Sequence, residues 1–220
     1  MAETYIIGDV HGCCKTLRYL ISEKINLKKS DRLYLVGDLI DRGPDSKGVI
    51  DYIIELENEG YQIFTVRGNH EQMLLDSLED DYEKEVWLEN GGMETLSSYG
   101  VQMVSEIDPS HLRFILNTEY YYTGKNFIIT HAGLNFKIEE PMTDLTAMLW
   151  IRKFNPDIKY LGKRILVHGH TPIPLKDVLS QEIKGAVNID AGCVFPHKGF
   201  GHLVALHLNK GVFIVAENID

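Results

Sequence analysis

An α/β fold, with parallel strands and helices on the sheet faces, is what this sequence predicts. Two observations carry that expectation. The first 80 residues repeat one arrangement three times: a short β-like run, a polar Gly-rich loop, then a helical pattern. Two later β-like runs also end in loops that carry histidine. Alternating β and α elements favour a largely parallel sheet covered by helices. Ligands bind such sheets outside the carboxyl ends of the strands, so the polar loops should gather along one edge.

The elements follow in order. Tyr5-Ile6-Ile7 leads into Gly8-Asp9-Val10-His11-Gly12 and a helix over about Cys14–Glu23. Arg32–Val36 leads into Gly37-Asp38-Leu39-Ile40-Asp41-Arg42-Gly43-Pro44, with a helix over about Ser46–Asn58 started by Pro44 and Asp45. Gln62–Val66 leads into Arg67-Gly68-Asn69-His70-Glu71 and a third helix. The stretch Asp81–Thr118 reads as mostly helical and is the natural candidate for a lid. Asn126–Thr130 and Arg164–Val167 are β-like and end in His131-Ala132-Gly133 and His168-Gly169-His170-Thr171-Pro172. Gly201–Leu208 and Gly211–Ala216 read as antiparallel strands about the turn Asn209-Lys210-Gly211.

The 220 residues, 44% hydrophobic and 25% charged, suit a single domain over 1–220. No stretch approaches the roughly 20 apolar residues that span a bilayer. Met1-Ala2-Glu3-Thr4 lacks the basic start of a secretory signal. Cys13, Cys14 and Cys193 form no metal or redox spacing. These features together predict a cytoplasmic protein. A net charge of −10 argues against nucleic acid and anionic membranes as partners.

Five β-run ends finish in a loop with Asp, Asn or His beside Gly. One such loop is more often a turn former than a ligand site; five in one chain are not readily explained that way. Asp9, His11, Asp38, Asn69, His131 and His170 offer carboxylate, amide and imidazole donors without a thiolate. That mixture suits Mn²⁺, Fe or Zn²⁺. Asp9 and His11, at i and i+2 on a strand end, should point the same way and grip one ion.

Gly8-Asp9-Val10-His11-Gly12, Gly37-Asp38-Leu39-Ile40-Asp41-Arg42-Gly43 and Arg67-Gly68-Asn69-His70-Glu71, in that order, resemble the calcineurin-like metallophosphoesterases. Within them the chain is most similar to the PPP-type serine/threonine protein phosphatases of the compact bacterial and lambda-phage kind. The resemblance runs from about residue 4 to about residue 205 and takes in Trp150-Ile151-Arg152. It implies a central β-sandwich of mixed strands flanked by helices. It also implies hydrolysis of phosphomonoesters, with phosphoserine or phosphothreonine in proteins as substrate. Two divalent ions are implied, Mn²⁺ first and Fe or Zn²⁺ as alternatives. By the same resemblance Asp9 and His11 hold the first metal, Asp38 bridges both, and Asn69, His131 and His170 hold the second. His70 is the general acid supported by Asp41, and Arg42 and Arg152 bind phosphoryl oxygens.

Chemistry supports those implied roles. Two cations roughly 3.5–4 Å apart clamp both sides of an in-line displacement and can lower the pKa of a bound water toward about 7. The resulting dimetal-bound hydroxide attacks phosphorus directly. A carboxylate beside His70 favours the charged ring that a proton donor needs. Arginines stay charged and grip phosphate with two parallel donors, which gives an acidic chain a cationic site.

Other residues receive milder readings. His168 is expected as a neutral buried or hydrogen-bonded histidine. His111, His197, His202 and His207 are assigned surface or sheet roles. Arg67 braces its loop, and Asp190-Ala191-Gly192-Cys193 is given no chemistry. The main rival function is diadenosine tetraphosphate hydrolysis. Those hydrolases commonly show G-N-H-D and lack the Asp of D-R-G, whereas this chain has Glu71 and Asp41. A non-catalytic metal-binding scaffold is disfavoured because no ligand position is lost, and a nuclease because no basic groove signal is present.

Overall fold

A computed structural model describes residues 2–220. Its strands are β1 (Thr4–Ile7), β2 (Arg32–Leu35), β3 (Gln62–Thr65), β4 (Tyr121–Thr123), β5 (Phe127–Thr130), β6 (Ile165–His168), β7 (Ala186–Asn188), β8 (His202–His207) and β9 (Val212–Glu217). They form two sheets, ordered β3-β2-β1-β8-β9 and β4-β5-β6-β7. In the first, β1, β2 and β3 run parallel, while β8 and β9 are antiparallel additions. In the second, β5, β6 and β7 run parallel and β4 is antiparallel. Both sheets are therefore mixed, as the resemblance implies.

Side-chain alternation explains how the sheets stack. Ile6, Tyr34 and Val36 from the first sheet meet Ile129, Val167 and Val187 from the second in one apolar layer. The alternate residues, Tyr5, Ile7, Leu33 and Leu35, face the other way. They are covered by α1 (Cys14–Tyr19) and α2 (Ser46–Asn58). On the outer face of the second sheet, Ile128 and Leu166 pack with Leu134, Met148 and Leu161. The period of two thus sends alternate residues of one strand to two different cores. Such strands, buried on both faces, read as nearly continuous apolar runs.

The α1 helix is shorter than the sequence suggests. It passes at Leu20 into a wider-wound segment, Leu20–Ile25, that ends at Asn26 with φ 53°. The Asp81–Thr118 stretch is mostly helical, as expected. After α3 (Asn69–Asp76) come α4 (Asp81–Trp87), α5 (Met93–Tyr99) and α6 (Pro109–Leu116). Asp80 and Asp108 cap α4 and α6 by accepting from backbone N–H groups. The short α7 (Leu145–Trp150), α8 (Ile158–Leu161) and α9 (Leu175–Ser180) belong to the second half. No helix among the described residues is long and apolar enough to cross a membrane.

The two halves close tightly where β1 ends. A Cβ on Gly8 would lie 2.4 Å from the carbonyl oxygen of Ile189, just past β7. This contact brings the Asp9 loop against the Asp190 loop. Gly8→Ala should therefore lower stability by about 1–3 kcal/mol, the usual cost of overpacking. Urea unfolding checks this, and an unchanged midpoint would show that the two backbones are not held together there.

Candidate metal centre and active site

The loops after β1, β2, β3, β5 and β6 converge at one end of the sandwich. Asp38 stands at their meeting point. Its donor atom belongs to two buried triplets, His11–Asp38–His70 and Asp38–His131–His170, each with donor atoms within 4.8 Å of one another. Asn69 Oδ1 lies 2.9 Å from His131 Nε2 and 2.8 Å from His170 Nδ1. Asp9 is adjacent, its Oδ2 accepting the His170 backbone N–H at 2.9 Å. The structure thus brings all six ligand candidates together.

It gives Asp9 and His11 a different relation from the one strand alternation predicts. β1 ends at Ile7, and His11 sits at φ 46°. The backbone has left the extended form, so the two side chains do not share a strand face. Asp9 turns toward the His170 loop, and His11 turns toward Asp38.

Left-handed backbone is concentrated here. Six non-glycine residues among those described have positive φ, and five are His11, Asp38, Asp41, Arg42 and His170. Such conformations cost free energy and persist where surrounding contacts fix them. Glu71 supplies those contacts for Asp38. Fully buried, it accepts the N–H groups of Asp38 and Gly68 on Oε2 and that of Leu39 on Oε1, each at 2.8 Å. One side chain therefore ties the β2 loop to the β3 loop.

The donor atoms fit divalent cations. His11 Nδ1 donates to the Ile40 carbonyl and His131 Nδ1 to that of Val36, both at 3.0 Å. Each ring is left with a lone pair on Nε2. His131 Nε2 faces Asp38 Oδ2 at 3.4 Å; His11 Nε2 lies 3.5 Å from the same oxygen and is also reached by the cationic Arg42 Nη1 at 2.7 Å. Acceptors turned toward an acceptor repel unless a cation lies among them. Asp9 Oδ1 and His170 Nε2 are buried without a hydrogen-bond partner. The backbone-anchored imidazoles also follow the usual outer-shell pattern of metal-binding histidines. With Asp38 common to both triplets, the residues present fit a pair of divalent ions.

Electrostatics agree. Burial pushes the Asp9 carboxyl well above its usual range, and the neighbouring Asp190 and Asp38 add to this. Burial raises Asp190 to about 7, although Gly192 N–H and Arg42 oppose it. Burial also raises Asp38, but positive charge on the His131, His70 or His11 ring, with the His70 backbone N–H, outweighs it and draws the group low. Burial lowers His11 and His131 and takes His170 to about 3, which keeps these rings neutral and ready to ligate.

His70 behaves differently. Its Nδ1 lies 2.7 Å from Asp41 Oδ2, and its Nε2 is 3.9 Å from Asp38 Oδ2. Burial opposes charge on the ring, yet Asp38 and Asp41 together raise its pKa. Burial likewise raises Asp41, against hydrogen bonds from His70, Thr95 and Trp87. The two shifts pull the shared proton in opposite senses. We assign the proton to the ring, because three donors satisfy the Asp41 carboxylate as an anion.

Those donors come from the stretch expected as a lid. Trp87 Nε1 donates to Asp41 Oδ2 at 2.9 Å, and Thr95 Oγ1 donates to Oδ1 at 2.6 Å. The Arg42 N–H donates to the Gly91 carbonyl at 3.1 Å. Gly91, at φ 111°, has no room for a Cβ, which would lie 2.7 Å from the Arg42 nitrogen. Trp87 and Thr95 are fully buried. This part of the segment is a fixed brace for Asp41 and Arg42, because it is packed into the core rather than laid over the site.

Arg42 Nη1 is 2.7 Å from His11 Nε2, so the guanidinium reaches into the centre. Arg152 is exposed at the rim just after Trp150, whose ring centroid is 6.2 Å from that of His170. Arg67 braces its loop, donating to Thr118 Oγ1 and to the carbonyls of Leu116 and Thr118. His168 is held at about 4 by burial and lies against Phe154. His111 is a buried structural residue on α6, 2.9 Å from Tyr99 Oη and 3.2 Å from Asp51.

Comparison with known proteins agrees with this geometry. A family model described as calcineurin-like phosphoesterase matches residues 3–198. The chain belongs to the calcineurin-like phosphoesterases. Over 202 residues it is 30% identical to serine/threonine-protein phosphatase 1 of Salmonella typhimurium, covering 88% of each chain. It is 28% identical over 221 residues to the asymmetrical bis(5'-nucleosyl)-tetraphosphatase PrpE of Oceanobacillus iheyensis, covering 88% of this chain and 85% of that one. A solved structure provisionally described as a diadenosine tetraphosphatase superposes with a TM-score of 0.72 at 22% identity, over 100% of this chain and 95% of that one. This calcineurin-like phosphoesterase is therefore similar in sequence to enzymes named for two different substrates.

Sequence reasoning missed Trp87, Thr95 and Asp190, and saw in Glu71 only a family marker. Trp87→Phe keeps the ring and removes one donor from a buried carboxylate. It should lower stability by about 1.5–3 kcal/mol, the worth of a hydrogen bond to a charged group. An unchanged urea midpoint would show that the indole N–H does not support Asp41.

Proposed function

We propose that this chain is a serine/threonine-type protein phosphatase that hydrolyses phosphomonoesters by in-line attack of water. The observation that carries the reading is the His70–Asp41 pair, 2.7 Å apart and fully buried, with the free ring nitrogen turned toward Asp38. An alkoxide leaving group needs a proton, and a carboxylate-backed imidazolium can deliver one. A phosphoanhydride leaving group needs it far less.

Asp9, His11, Asp38, Asn69, His131 and His170 would hold two divalent cations, Mn²⁺ in our reading. When bound, these supply Lewis acidity to a water and to the phosphoryl oxygens. Arg42 and Arg152 bind and orient the phosphoryl group, and Asp41 holds the His70 tautomer. The three buried, unpaired cysteines support a reducing compartment, the cytoplasm.

A second reading, hydrolysis of dinucleoside polyphosphates, is favoured by the names of the PrpE relative and of the superposed structure. Comparison of kcat/KM for a phosphoserine peptide, p-nitrophenyl phosphate and diadenosine tetraphosphate, on one Mn²⁺-loaded preparation, separates the two. The protein-phosphatase reading expects the peptide to exceed the dinucleotide; the reverse order would overturn it. His70→Asn should cut turnover of the serine ester by about 10²–10⁴-fold, the range of general-acid catalysis, and that of the aryl ester much less. Equal losses on both would remove His70 as the acid.

A further inference from the structure

The two flanks of the active site carry opposite charge. Beside Arg152 lies a pocket of about 550 Å³ lined by Lys137, Arg152, Lys153, Phe154 and His168, among others. Lys137, Arg152 and Lys153 supply the cationic groups of its lining. None of the three makes an ion pair or side-chain hydrogen bond to a carboxylate among the described residues, although the chain carries a net charge of −10. On the Arg42 side lies a pocket of about 510 Å³ that presents Glu89 and Glu94. A phosphoryl group held between Arg42 and Arg152 would thus have basic side chains on one side and acidic ones on the other.

We propose that the pocket beside Arg152 is a subsite for a second anionic group of the substrate, an acidic side chain next to the phosphorylated residue. The inference rests on the protein-phosphatase reading. With Arg152 engaged by the phosphoryl group, Lys137 and Lys153 remain as two uncompensated cations that leave a local positive field on an acidic protein, and a carboxylate arriving there supplies their missing partner. Glu89 and Glu94 repel the same group on the opposite flank, so the substrate is read in one direction. Repulsion from the wrong side adds to specificity as much as attraction on the right one. An acidic peptide fits this pocket better than a nucleotide base. The two rings there, Phe154 and His168, pack edge to face on each other, and Phe154 also lies against Phe136, so they do not form a pair of parallel faces for a base.

The test uses the full chain loaded with Mn²⁺ and three phosphoserine peptides that differ only in acidic, neutral or basic residues around the phosphoserine. Turnover of p-nitrophenyl phosphate normalises each preparation. The acidic peptide should exceed the neutral one in kcat/KM by roughly fivefold to tenfold, the effect of one or two exposed ion pairs. Added salt should shrink that ratio. Lys137→Glu/Lys153→Glu should invert the preference, and Lys137→Met/Lys153→Met should abolish it without adding repulsion. Equal rates on the three peptides, or an acidic preference that survives the charge reversal, overturns the subsite and leaves the phosphatase reading standing. Failure to cleave any peptide, with diadenosine tetraphosphate cleaved, overturns both.

Discussion

The interaction on which this structure depends is the forced approach of groups that repel one another. Asp9, Asp38 and Asp190 are buried carboxylates within electrostatic reach of one another. The lone pair of His131 is aimed at Asp38 Oδ2, and Asp9 Oδ1 and His170 Nε2 are buried without a hydrogen-bond partner. Buried charge and unpaired acceptors are costly. Divalent cations held there would convert repulsion into coordination, and binding them would couple directly to stability. Two stacked sheets, closing at Gly8 and Ile189, bring the five loops to one place.

Around this centre the chain spends its least favourable backbone. Five site residues take left-handed conformations, and each is fixed by a neighbour. Glu71 holds Asp38 from the first turn of α3, the Gly91 carbonyl holds Arg42, and Thr95 with Ser46 receives the Asp41 N–H. The centre and the proton donor are thus supported separately. Glu71 organises the bridging carboxylate, while Trp87 and Thr95 satisfy the carboxylate behind His70.

Much of this was legible in the sequence because strand ends and short motifs carry local information. Asp9, Asp38, Asn69, His131 and His170 each sit where a β-like run meets glycine, and the three early motifs resemble a known family. The relation of Asp9 to His11 was not legible, because a left-handed residue breaks the alternation the prediction assumes. Trp87 and Thr95 lay in a polar helical stretch with no sign of what they face; their partner, Asp41, is 46 and 54 residues away. The short strands β4 and β7, three residues each, carried too little pattern to be seen. Asp190 lay in a segment given no chemistry, and only the packing of that loop against Asp9 shows its charge to matter.

The central claim is that two divalent ions share Asp38. Its most direct measurement is Mn²⁺ stoichiometry together with electron paramagnetic resonance on the loaded protein and on Asp38→Asn. The account predicts two ions per chain with an exchange-coupled spectrum, and loss of both the coupling and the second equivalent in the variant. A single equivalent with the spectrum of an isolated ion, or coupling that persists without the Asp38 carboxylate, would contradict it.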